Sequence, residues 1–271
     1  MTWSCLPVCL FQDIISGRIR VADWAAAARD MGLDCVDLSI LFVANRTPMG
    51  IAELKRQLCG MPVGMITCYP DFTQPEPVAR ERELAHALSD VAAAADLGAR
   101  YIRLTAGQAY EGQSDDDAVR QVVSCFEKCC EHACRWGVRV LLENHSKPGA
   151  WARPDFDFHT GRFLRLVNAM SHLPVGINFD TANTYALGDD ACMVFESVYG
   201  RVESIHVNDI ADTERLRFVG IGDGGAPICE IFRIAKRRGF DGLLSIEECG
   251  RDGVAGIRRS FERAAALWAD A

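Results

Sequence analysis

The stretch CRWGVRVLLEN, residues 134–144, reads as the last turn of a helix, a glycine, a one-residue turn and an apolar run that stops on a carboxylate. Glycine suits the left-handed position just past a helix C-terminus, so Gly137 marks the helix end. Val138, Val140, Leu141 and Leu142 then form the short apolar block of a buried strand. Three more stretches share this grammar: RDMGLDCVDLS at 29–39, ADLGARYIRLT at 95–105 and KRRGFDGLLSIE at 236–247. Their glycines, Gly32, Gly98, Gly137 and Gly239, lie 66, 39 and 102 residues apart. Those spacings are close to two, one and three units of about 34 residues, the size of a βα repeat.

The intervals supply the missing strands. Thr2–Cys9 reads as the first, Pro62–Cys68 as the third, Val175–Asp180 as the sixth and Val202–Val207 as the seventh. Between them run helical stretches such as ADWAAAARDM, VARERELAHALSDVAAAADL, DDAVRQVVSCFEKCCEHACRW and GAPICEIFRIAKRRG. Eight strand–helix units predict a (β/α)8 TIM barrel. A doubly wound open sheet would carry G-x-G-x-x-G after its first strand, and none is there. VGIGDGG at 219–225 follows the seventh strand instead, where a barrel has a loop near substrate. No linker, low-complexity tract or charge block divides the chain, so residues 1–271 read as one domain.

A net charge of −8 disfavours a nucleic-acid partner, because phosphate binding draws on a basic surface. Basic residues gather near 233–238 and 251–259 without reversing that balance. No apolar run approaches the roughly 18 uncharged residues of a membrane span. The opening MTWSCLPVCLFQDI lacks a basic n-region and carries Asp13, so it does not read as a signal peptide. Among the twelve cysteines, Cys125, Cys129, Cys130 and Cys134 stand at i, i+4 helical spacing, not as zinc knuckles. They read as small buried hydrophobes in a reducing, cytoplasmic compartment.

A strand that buries four apolar residues should not end on an unpaired carboxylate, since burying one costs several kcal/mol. Glu143 nevertheless ends VRVLL, Asp180 ends VGINF, His206 follows VESI and Glu247 follows LLSI. In a barrel the C-terminal ends of the strands converge on one open face. Singly, each residue reads equally well as a helix cap, an ion-pair partner or a satisfied polar group. Caps, however, have no reason to recur as E, D, H, E on four consecutive strands. Three carboxylates gathered there repel one another until a divalent cation neutralises them, and the imidazole completes a mixed oxygen and nitrogen sphere. The pattern predicts one metal ion on Glu143, Asp180, His206 and Glu247.

The motifs LLENH, GINFDTANTY, SIHVND and LLSIEE, with FVGIGDGGAPICEIF between the last two barrel strands, resemble the xylose isomerase-like TIM barrels. That family is also described as sugar phosphate isomerases/epimerases, and the resemblance covers nearly the whole chain. It implies that the four ligands hold one divalent ion: manganese, with magnesium, cobalt or zinc as alternatives. It also implies that Glu143 and Glu247 take and return a proton on opposite sides of a sugar, through a metal-stabilised enediolate. Return to the neighbouring carbon gives isomerisation and return to the opposite face gives epimerisation. With a leaving group one carbon further on, the same chemistry is a lyase reaction. The ligand set leaves all three open.

Further candidates surround this set. His145, two residues past Glu143, points the same way if the strand persists and is then another acid/base or a contact to a substrate hydroxyl; a loop histidine facing solvent is the alternative. By resemblance, Arg217 falls where relatives often have a substrate-binding arginine, a surface arginine being the alternative, and Asn183 where many carry a histidine that touches substrate. Asparagine keeps a hydrogen-bonding group but no proton-transfer role. Asn208 and Asp209 stand where relatives often have Lys-Asp. Trp151, in the long segment after the fifth strand, is positioned to cover the mouth and stack on a sugar or aglycone, or else packs on its own loop. Tyr69 and Asp71 are rim candidates after the third strand.

The resemblance thus implies an isomerase or epimerase of a small sugar or keto-sugar, working as a homo-oligomer. The nearest alternative is a lyase: a keto-inositol or dehydroshikimate-type dehydratase, or the metal-bearing subunit of a C-glycoside deglycosidase, which eliminates an aglycone from 3-oxo-glycosides beside a small β subunit. An apurinic endonuclease shares the barrel, but its trinuclear zinc site needs more histidines than stand here. A non-catalytic sugar-binding barrel would have no use for the complete ligand set.

Overall fold

The four sequence-marked glycines all adopt the left-handed conformation, with φ between 70° and 87°. Each turns the end of a helix into a strand, and the repeat so produced is the fold. The computed structural model describes residues 1–146, 151–247, 249–250 and 252–271. The start of the Trp151 segment (147–150), the second glutamate of LLSIEE (248) and the arginine at 251 lie outside the described residues.

In chain order the strands are β1 (Thr2–Leu6), β2 (Val36–Ser39), β3 (Val63–Thr67), β4 (Tyr101–Leu104), β5 (Arg139–Glu143), β6 (Gly176–Asp180), β7 (Val202–Val207), β8 (Asp209–Asp212), β9 (Arg217–Val219) and β10 (Leu243–Glu247). Eight of them form one parallel sheet in the order β1-β10-β7-β6-β5-β4-β3-β2. Its two ends meet where the amides of Asp34 and Cys35 donate to the Trp3 carbonyl at 3.0 and 3.2 Å. The result is a nearly closed (β/α)8 barrel. Strands β8 and β9 form a separate antiparallel hairpin in the segment after β7, where the sequence predicts a loop near substrate. Strand β1 stops at Leu6 instead of Cys9: Pro7 has no amide to give a neighbour, and Val8–Leu10 coil into a 3-10 turn.

Helix Asp115–Cys134 shows how the outer layer is built. The Ser114 hydroxyl caps its start by accepting from the Asp117 amide at 3.1 Å, and three aspartates in the first turn suit the positive helix end. Val122, Cys125, Phe126, Cys129, Cys130 and Ala133 form its buried stripe. Three of the four clustered cysteines are therefore packing residues as expected, while Cys134 at the helix end is exposed.

The barrel interior has its own apolar plug, formed by Cys35, Met65, Tyr101, Leu141 and Leu243. Tyr101 and Leu141 stand two residues before Arg103 and Glu143 on the same strand faces. Above the plug, towards the C-terminal strand ends, the interior turns polar.

Candidate metal centre

Pairing in register brings the strand ends together. Asp180 lies opposite His206 across β6 and β7, and Glu143 lies opposite Asn178 across β5 and β6. Glu143, Asp180, His206 and Glu247 each present one ligand atom, and those atoms all lie within 4.8 Å of one another. All four residues are buried. His206 turns Nδ1 into the group, 3.0 Å from Glu143 Oε1 and 3.0 Å from Glu247 Oε2.

Charge balance states what the cluster lacks. Three carboxylates face a neutral imidazole and one buried guanidinium, Arg103, whose Nε is 2.8 Å from Glu143 Oε2. Two negative charges are left over in a water-poor interior, which is the complement of a divalent cation. Without one, the site recruits a proton. Burial pushes His206 down, but Glu143 and Glu247 outweigh it and raise the imidazole to about 10. Burial likewise pushes Glu143 up, and Arg103 with His206 more than reverses that, holding it at about 2. The mixed oxygen and nitrogen donors, their spacing and their burial all fit a divalent ion.

Neighbouring groups fix the ligands. Asp180 Oδ1 accepts from the amides of Ala182 and Asn183, both at 2.8 Å, and Oδ2 accepts from Asn208 Nδ2 at 2.9 Å. Asn208 is therefore tied to a ligand. Asn144, the centre of the ENH triplet, staples β5 to β6: Oδ1 accepts from the Asp180 amide at 2.8 Å and Nδ2 donates to the Asp180 carbonyl at 3.0 Å. Asn183 donates to the Asn144 carbonyl at 2.9 Å and is 2% exposed.

His145 lies beyond the end of β5 yet does not face solvent. It is 1% exposed, its Nδ1 is 2.6 Å from Asp155 Oδ1, and its ring meets Tyr69 edge-on at 6.2 Å. Trp151 donates its indole N–H to the same Asp155 oxygen at 2.7 Å. The Arg103 guanidinium stacks 4.9 Å from the Tyr69 ring. Tyr69, Arg103, His145 and Glu143 thus form one contiguous wall. Asp71, in contrast, is consumed by structure, accepting from Thr73, Gln74, Gln108 and Tyr110. Asp209 is likewise a loop organiser, accepting from the amides of Ile210, Gly222, Gly224 and Ala226 at 2.9–3.0 Å. Arg217 is exposed on β9, where it lines an open cleft of about 890 Å³ with Arg215, Arg259 and Arg263.

Two groups at the site escaped the sequence reading. Arg103 sits inside the buried run YIRL, and a lone charge at that place was the available signal. Asp155 stands ten positions after His145 in the sequence, and no local pattern pairs them.

The family model of xylose isomerase-like TIM barrels matches residues 25–268. The chain belongs to this family. No curated protein sequence matches it. Among solved structures it is similar to the D-tagatose 3-epimerase-like protein (TM-score 0.78, 14% identity, covering 100% of this chain and 99% of that one). It is similar also to the probable 3-DHS dehydratase AsbF of Bacillus anthracis (TM-score 0.76, 18% identity, 97% and 98% covered). A third is the 3-keto-D-glucoside 4-epimerase YcjR of E. coli (TM-score 0.74, 17% identity, 91% and 94% covered). Identities this low speak to the fold. Among the described residues, no helix is long and apolar enough to cross a membrane.

Proposed function

We propose that this chain is a divalent-metal-dependent isomerase or epimerase of a small sugar or keto-sugar. The observation that carries the reading is the buried cluster of Glu143, Asp180, His206 and Glu247, with a glutamate contributed from each of two separate strands. Family membership and the epimerases among the structural relatives support it. A bound cation, manganese for preference, would polarise a carbonyl and offset the negative charge that builds on its oxygen. Glu143 and Glu247 would divide the proton transfer, one taking the proton from the carbon beside that carbonyl and the other returning a proton to the substrate. Paired with Glu143, Arg103 keeps that carboxylate ionised at neutral pH. Tyr69, Asn183, Asn208, Trp151 and Arg217 remain the proposed substrate contacts. Of these, Tyr69 has the strongest support, because its ring adjoins both Arg103 and His145.

A lyase is the second reading, and the His145–Asp155 pair favours it. Elimination needs a group that delivers a proton to the departing oxygen or carbon. An imidazole held through Nδ1 by a buried carboxylate is built for such a transfer. The partner would then be a keto-inositol, a dehydroshikimate-like acid or a 3-oxo-glycoside, the last with a small β subunit.

Incubation of the Mn2+-loaded protein with ketoses and 3-oxo-glycosides in D2O, read by mass spectrometry, tests both. Deuterium uptake without mass loss supports the isomerase or epimerase. Loss of water or of an aglycone replaces it with the lyase. Neither outcome across both substrate classes, with metal bound, refutes the two together.

A further inference from the structure

Between the apolar plug and the four ligands lies a polar layer that the proposed reaction does not use. Asn178, Ser204 and Ser245 each stand two residues before a ligand and share its inward face. Ser4 lies opposite Ser245 in register, and Ser245 lies opposite His206. Asp37 reaches this layer from β2, where its Oδ2 accepts from Ser245 Oγ at 2.5 Å. Gly64 makes room for that carboxylate: a Cβ there would lie 2.8 Å from Asp37 Oδ1. Ser4, Asp37, Asn178, Ser204, Ser245 and His206 are all fully buried.

The layer does not satisfy itself. Asp37 Oδ1, both polar atoms of the Asn178 amide, Ser204 Oγ and His206 Nε2 are enclosed without a hydrogen-bond partner in good geometry. Each such atom costs about 1–3 kcal/mol if unmet, and five together would rival the roughly 5–15 kcal/mol net stability of a whole domain. Enclosed water, making about three hydrogen bonds per molecule, is the ordinary remedy for a buried polar cell. His206 matters most here. Its Nδ1 faces the carboxylates of the metal cluster, so Nε2 is the free side of the ring.

We propose that this layer is a hydrated cell through which Asp37 sets the tautomer of His206. Nε2 carries the proton and donates it, through buried water and the Ser245 hydroxyl, towards the Asp37 carboxylate, leaving the Nδ1 lone pair for the cation. A ligating histidine holds its other nitrogen on a carboxylate, carbonyl or water, and losing that partner weakens metal binding about 10–100-fold. Asp37 is thus a positioning residue, and the inference rests on the metal reading above.

Nitrogen-15 NMR of histidine-labelled, Cd2+-loaded wild-type protein reads the tautomer directly. The expected result is a His206 ring protonated at Nε2 and coupled to cadmium through Nδ1; coordination through Nε2 would overturn the proposal. In calorimetric titration of the metal-free protein with Mn2+, Asp37→Asn and Ser245→Ala should both bind more weakly, Asp37→Asn by about 10–100-fold. Affinities within about twofold of wild type in both variants would also overturn it. If Asp37→Asn fails to fold, the wild-type tautomer and Ser245→Ala decide. A wild-type protein that binds neither Mn2+ nor Cd2+ defeats the metal reading itself, which separates the two failures.

Discussion

Arg103→Met gives the deepest test of the electrostatics. The guanidinium is 1% exposed and pairs at 2.8 Å with a fully buried Glu143. At an effective dielectric of about 20, a pair at that distance attracts by roughly 6 kcal/mol. Desolvation takes part of this back, and removing one member of a buried pair costs about 3–5 kcal/mol, because the other charge is left stranded. Methionine fills much of the volume, so the loss is mainly electrostatic. For a domain of this size each kcal/mol moves Tm by about 2–4 °C, so metal-free Arg103→Met should melt roughly 10 °C below metal-free wild type. Added Mn2+ should recover more Tm in the variant than in wild type, since the cation supplies the positive charge that Glu143 has lost. Thermal scans of both proteins, with and without Mn2+, measure this. A metal-free Tm within about 2 °C of wild type would refute the reasoning. Arg103→Lys keeps the positive charge but loses the planar fork that also reaches the Cys68 carbonyl, so it should melt between the Met variant and wild type.

Three further outcomes are expected. Glu143 is held at about 2, below its ordinary 4.5, so its contribution to stability is complete above pH 4.5 and lost as pH falls towards 2. His206 is held at about 10, above its ordinary 6.5, so its contribution is complete below pH 6.5 and lost as pH rises towards 10. Urea unfolding of the metal-free protein should therefore show greatest stability between pH 4.5 and 6.5, and His206→Gln should flatten the alkaline side. Asp209→Ala removes the acceptor of four loop amides and should lower Tm by roughly 10 °C, with faster amide exchange over 220–226 than elsewhere. A thiol reagent should label Cys59 and Cys134 first, and Cys125, Cys129 and Cys130 only after unfolding.

How much of this was legible beforehand follows from what repeats. The helix–glycine–strand unit recurs, so the barrel and its strand ends could be read, and the four metal-competent residues came with them. The ligands are local in meaning, since each closes its own apolar run. Arg103, Asp37 and Asp155 are not. Their roles depend on which strand lies across the barrel or which loop folds back, and pairing over such distances leaves no periodic trace. The hairpin of β8 and β9 escaped for a related reason: strands of three and four residues are too short for alternation to register. Cys134 shows the opposite limit, since i, i+4 spacing with Cys130 says nothing about where the helix ends.

Four barrel strand ends are expected to clasp one divalent cation. Elemental analysis of protein purified without chelator, paired with Mn2+ titration of wild type and Asp180→Ala, measures it most directly. One ion per wild-type chain, with at least hundredfold weaker binding in Asp180→Ala, is the expected result. A wild-type chain that holds no ion, or an Asp180→Ala chain that holds Mn2+ as tightly as wild type, would contradict it.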